Sequence, residues 1–143
     1  MKRILHPSDF SVASRPAFKK AIEMAQRNRA TLELFHAMRP AVSTRSTVSP
    51  KTYDARVAFA TALARKEMDG LVRKARAAGV KATSTIVEGW PADRIVRAAR
   101  ASNADLIVMG TRGRTGFSRL VLGSVASRVI STSPCPVLTV RSK

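Results

Sequence analysis

The chain has 143 residues, 45% of them hydrophobic and only 5% aromatic, and its 26 Lys and Arg against 9 Asp and Glu leave a formal charge of +17. That length suits one domain, here 1–143, with a core built mainly from aliphatic side chains. The absence of an apolar run near 20 residues excludes a membrane-spanning helix, and the single cysteine, Cys135, excludes an internal disulfide and a multi-cysteine metal site.

The stretch Met1 to Asp9 carries no signal-like apolar region, so a soluble cytoplasmic protein with no membrane partner is expected. A charge of this size attracts polyanions. Most of the Lys and Arg residues are expected to form solvated helix faces, with nucleic acid as a less favoured partner.

Ile4-Leu5-His6 reads as a strand leading into Pro7-Ser8-Asp9, a tight exit. Phe18, Ala21, Ile22 and Ala25 recur at i, i+3, i+4 and i+7, and Ser14 and Pro16 suit a first turn, which predicts an amphipathic helix. Thr31 to Met38 is the second strand. Arg39 to Lys51, with its prolines and hydroxyl residues, predicts a mobile connection.

From Thr52 to Ala78 a helical stripe of Val57, Ala60, Ala64, Met68, Leu71 and Ala75 ends at Gly79. Val80 to Val87 is a third strand. Pro91 opens a helix with Ala92, Ile95, Val96 and Ala99 inward and Arg94, Arg97 and Arg100 outward. Leu106 to Met109 is the continuous apolar run of a central strand buried on both faces.

A glycine-containing loop, a helix from near Gly123 and a last strand, Pro136 to Val140, complete a β-α-β-α-β-α-β-α-β order. The expected fold is α/β: a Rossmann-like three-layer sandwich with a five-stranded parallel sheet and helices on both faces. Ligands of such sheets bind beyond the carboxyl ends of the strands. Pro7-Ser8-Asp9 and Gly110-Thr111-Arg112-Gly113 converge there, and Gly123-Ser124 starts a helix whose free N–H groups favour an anion.

Gly110, Gly113, Gly123 and Ser124 spell GxxG, nine residues, then G-S. With Ile4 to Ser11, Glu88-Gly89-Trp90-Pro91, Ala104 to Gly113 and Cys135-Pro136-Val137, the chain closely resembles the nucleotide-binding subgroup of the universal stress protein family. The resemblance implies that Pro7, Ser8, Asp9 and Ala37 surround adenine and ribose, and that Met109 and Gly110 lie beside the ribose. It further implies phosphate contacts from Gly113, Gly123, Ser124, Val125 and Ala126.

Ala126 departs from the pattern, since some binders carry a hydroxyl there; Arg112, Arg114 or Arg119 would offset its loss. The implied ligand is ATP, AMP or ADP, with Mg2+ bridging Asp9 and the phosphates. The implied assembly is a homodimer paired through the final strand, an apolar edge.

No nucleophile elbow or triad is signalled, so no catalytic residue and no metal site is assigned. His6 and His36 read as core or strand-end residues, Cys135 as packing, and Trp90 as a packed cover. The function expected is a nucleotide-binding regulatory module of the stress response rather than a dedicated enzyme. A basic nucleic-acid-associating protein and a slow ATPase are the alternatives.

Overall fold

In the computed structural model, which describes residues 1–40, 47–113 and 121–143, five parallel strands form one sheet in the order β3-β2-β1-β4-β5. They are β1 (Arg3–Pro7), β2 (Thr31–Met38), β3 (Ala82–Glu88), β4 (Leu106–Gly110) and β5 (Val137–Val140). The helices are α1 (Arg15–Asn28), α2 (Pro50–Ala77), α3 (Pro91–Ala101) and α4 (Ser124–Thr132). Parallel strands need crossovers, and each helix supplies one.

Alternation along the strands divides the core between the two faces. Ile4, Leu32, Leu34, Leu106 and Val108 pack with α1 and α2, while Leu5, Phe35, Ile107 and Met109 pack with α3 and α4. On α1 the fully buried positions are Ala17, Ala21 and Ala25, one per turn, so the helix lies close to the sheet; Phe18 and Ile22 flank it partly buried. On α3 the expected inward and outward faces are both found.

Two expectations need correction. The strand at the centre of the sheet is β1; β4 is interior, next to the edge strand β5. The α2 stripe also does not bury along its length. Its 28 residues extend about 42 Å at 1.5 Å per residue, while the eight residues of β2 extend about 27 Å. The first half therefore overhangs the sheet: of the stripe, Ala60 is exposed and Val57 half-buried, while Ala64, Met68 and Ala75 are buried; off the stripe, Phe59 is 67% and Leu63 52% exposed.

Ser49 caps α2 by accepting a hydrogen bond from the Thr52 N–H at 3.2 Å, with Pro50 in the first turn. The helix thus starts before Thr52. Of the connection expected over Arg39 to Lys51, 41–46 lie outside the described residues.

Three helices end on a residue in the left-handed region: Arg29 (φ 52) after α1, Gly79 (φ 78) after α2 and Asn103 (φ 50) after α3. Gly79 has open space where a side chain would begin. Gly79→Ala therefore tests backbone strain alone and should cost roughly 1–2 kcal/mol, read as a lower urea midpoint with an unchanged slope.

Candidate functional site

The sheet order reverses between β1 and β4, and their pairing stops at Leu5 with Ile107. Beyond that point the strands part, and a cavity of about 790 Å³ opens at their carboxyl ends. All twelve residues expected at the site line it: Pro7, Ser8, Asp9 and Ala37 on one wall, Met109, Gly110, Arg112 and Gly113 on another, and Gly123, Ser124, Val125 and Ala126 at the start of α4.

The first wall is a braced turn. The Ser8 N–H donates to the Phe35 carbonyl at 2.8 Å, and the Phe10 N–H donates to Ser8 Oγ at 3.1 Å. Asp9 Oδ1 accepts from the Ser11 N–H at 2.9 Å. His36 Nδ1 donates to the Ser8 carbonyl at 2.7 Å, and its ring lies 4.4 Å from that of Phe10.

Phe10 is left-handed at φ 63, a conformation that costs a bulky residue on the order of 1–3 kcal/mol. Contact with His36 holds it there. Neither Phe10 nor the bracing by His36 was expected from the sequence, which has no glycine or asparagine to mark the turn.

The second wall explains the glycines. A β-carbon on Gly113 would stand 2.9 Å from Asp9 Oδ2, so only a glycine lets the two loops approach without a shift. The Gly123 N–H donates to the Thr111 carbonyl at 2.7 Å, and a β-carbon on Gly123 would stand 3.0 Å from that oxygen. Gly110 packs against the 3-10 turn Val12–Ser14 that precedes α1, with its β-carbon position 3.6 Å from the Ala13 carbonyl. The two halves of the glycine motif thus form one surface.

Gly123 occupies the N-cap of α4 and no side chain caps that helix. The first-turn N–H groups of a helix have no intrahelical acceptor and carry its positive dipole end. The Gly113–Gly123 mouth is therefore suited to an anion, while Ala37, Met109 and Ile95 give the cavity apolar walls.

Arg112 donates to the carbonyl and hydroxyl of Ser142, at 3.2 and 2.7 Å, which ties its guanidinium to the C-terminal segment. Arg114 and Arg119 lie outside the described residues. Ala126, 2% exposed, belongs to the apolar cluster of Ile95, Met109 and Val129.

The remaining candidates have structural placements. His6 is fully buried, and its Nδ1 donates to the Val108 carbonyl at 2.8 Å just past the last β1–β4 pair. Among the described residues no group of three or more His, Cys, Asp or Glu side chains could hold a metal ion. Cys135 packs on the α3–α4 cluster. Trp90, expected as a packed cover, is 55% exposed at the start of α3, because the chain places its backbone, not its ring, at the helix cap. No helix among the described residues is long and apolar enough to cross a membrane.

Residues 1–141 match the family model described as the universal stress protein family. Universal stress protein YxiE of Bacillus subtilis is 32% identical over 145 residues, covering 97% of this chain and 98% of that protein. Universal stress protein MJ0531 of Methanocaldococcus jannaschii is 56% identical over 63 residues, 44% of this chain and 37% of that longer relative.

Among solved structures, hypothetical protein MJ0577 superposes with a TM-score of 0.83 at 28% identity, over 99% of this chain and 96% of that one. A universal stress protein in complex with cAMP superposes with a TM-score of 0.75 at 25% identity, over 99% and 98%.

Proposed function

The chain belongs to the universal stress protein family, and from that premise we propose that it binds an adenine nucleotide, with ATP as the principal ligand, in the cavity between β1 and β4. The observation that carries this reading is the uncapped start of α4, set beside Gly113 and Gly123, whose β-carbons would stand 2.9 and 3.0 Å from Asp9 Oδ2 and the Thr111 carbonyl. A relative of the same fold is known in complex with cAMP, which supports an adenine-bearing ligand here.

In this reading the phosphates lie at Gly113, Gly123 and the first turn of α4. The base and ribose lie toward Pro7, Ala37 and Met109. The cavity, about 790 Å³, falls within the range of small-molecule and cofactor sites. Asp9, adjacent to Gly113, is the carboxylate we assign to a Mg2+ ion accompanying the phosphates.

Affinity in the millimolar range needs only about 4 kcal/mol. Several N–H donors and one hydroxyl acting together supply that, although a helix dipole alone gives no more than about 2 kcal/mol. The protein acts as a regulatory module of the stress response in the cytoplasm, a single domain in which nucleotide occupancy alters a partner surface. Its edge strand β5, partly exposed throughout, pairs antiparallel with that of a second copy.

Mass spectrometry of ligand released from freshly purified protein tests the proposal: an adenine nucleotide near stoichiometry supports it. A different class of ligand in the same cavity overturns it. The hydroxyl of Ser124 is assigned to the phosphates, so Ser124→Ala should weaken ATP binding roughly ten- to a hundredfold, the value of one hydrogen bond to a charged group. Binding of adenosine should change much less, and calorimetric titration with both ligands reads the difference.

A further inference from the structure

The amino-terminal end of the sheet, opposite the cavity, gathers cations from elements far apart in sequence. The last turns of α1, α2 and α3 bring Arg27, Lys74, Arg76 and Arg100 there. The starts of β1 and β3 add Lys2, Arg3 and Lys81, and Arg29 follows α1. All eight side chains are exposed.

Little at this end offsets them. Four helix C-termini, one from each crossover, supply about −0.5 each, together about −2 against eight positive charges. Among the described residues two carboxylates stand near this end: Glu23, one turn before Arg27 on α1 and paired with Lys20, and Asp105. Asp105 accepts from the Lys2 and Arg3 backbone N–H groups at 2.6 and 2.9 Å, and these hold its pKa below the usual range. Glu33 lies further along β2. The Arg3 and Arg76 guanidiniums donate to the carbonyls of Ser102 and Ala82, contacts that leave their charge intact.

Arg29 gives a second observation. It occupies the left-handed position after α1 at φ 52, where glycine is the least strained choice. Helix termination therefore does not account for an arginine there, whereas a cationic face does.

We propose that this end of the protein binds the phosphate backbone of duplex nucleic acid without reading its sequence. Strands spaced about 4.8 Å apart with helices about 10 Å above and below make a face some 20–30 Å across. A duplex carries one charge per about 1.7 Å of axis, so such a face meets enough phosphates to engage six or more cations. Among the described residues the exposed aromatic rings, Phe59 and Trp90, belong to the carboxyl-end half. The face therefore has no platform for the base stacking that single strands use.

The test is anisotropy with a labelled mixed-sequence duplex of about 20 base pairs, titrated between about 50 and 200 mM salt, with an expected log–log slope near −5. Lys74→Glu with Lys81→Glu should weaken binding by on the order of a hundredfold and flatten the slope by about two. Lys51→Glu with Arg56→Glu, in the first turns of α2 at the opposite end, should change it by no more than the general loss of charge.

Arg29→Gly should raise the denaturation midpoint while weakening binding, a pair of changes that a purely structural residue would not produce. Saturating ATP should leave duplex affinity unchanged, because the two sites occupy opposite ends of the sheet. Equal losses from the two double variants, no binding at the lowest salt, or equal affinity for anionic vesicles or poly-glutamate would each overturn the proposal.

Discussion

Gly113→Val is expected to lower ATP affinity by at least about a hundredfold, roughly 3 kcal/mol, while the folded state survives. The reason is spatial. Gly113 does not require a left-handed backbone, so valine adds bulk without strain, and its β-carbon would stand 2.9 Å from Asp9 Oδ2.

That oxygen is the end of a side chain and can move aside, so the fold tolerates the change. The approach between the Asp9 turn and the Gly113 loop does not. Both Asp9 and the anion mouth are displaced from the arrangement the ligand needs. Calorimetric titration alongside urea denaturation separates the two effects. Unchanged affinity with unchanged stability would place the phosphates elsewhere.

The second large effect is on stability and pH. Burial lowers the pKa of His6 from 6.5 to about 4, against smaller upward pulls from its hydrogen bond to the Val108 carbonyl and from Asp9. Its Nε2 is buried with no hydrogen-bond partner, so the ring is neutral in the folded protein. Protonation would place an unpaired charge in the core.

The unfolded chain binds this proton below pH 6.5 and the folded chain only near pH 4. The stabilisation is therefore complete above pH 6.5 and lost as pH falls toward 4, by about 3 kcal/mol at 1.36 per pKa unit. His6→Leu should remove that slope, whatever it does to stability near neutrality through loss of the Val108 hydrogen bond. Urea midpoints measured from pH 7.5 to about 4 for both proteins give the comparison. A variant with the wild-type slope would show that another group carries the dependence.

Much of the architecture was legible because burial imposes periodicity. Ala92, Ile95, Val96 and Ala99 fell on one helix face as their spacing required, and all four are buried. Leu106 to Met109 read as a strand with both faces covered, which it is. Its rank in the sheet was not legible, since a run of apolar residues reports covered faces and not the number of neighbouring strands.

The overhang of α2 was hidden for a related reason. Val57 and Ala60 continue the apolar stripe past the end of the sheet, and a sequence carries no ruler for where the sheet stops. The glycines of the cavity were legible as a motif, but their reasons are spatial: Gly113 faces Asp9, and Gly123 faces the Thr111 carbonyl. Phe10 had no signal, because its left-handed turn is imposed by His36 and Ser8 rather than by its own preference.

In the proposed site the cavity between β1 and β4 accepts an adenine nucleotide by its phosphates. Isothermal titration of the nucleotide-free wild-type protein with ATP, and with adenosine as the phosphate-free control, tests it most directly. ATP should bind saturably with a Kd at or below about 1 mM, and adenosine should bind more weakly by tenfold or more. ATP and adenosine binding equally, or no saturable heat from ATP at that concentration, would contradict it.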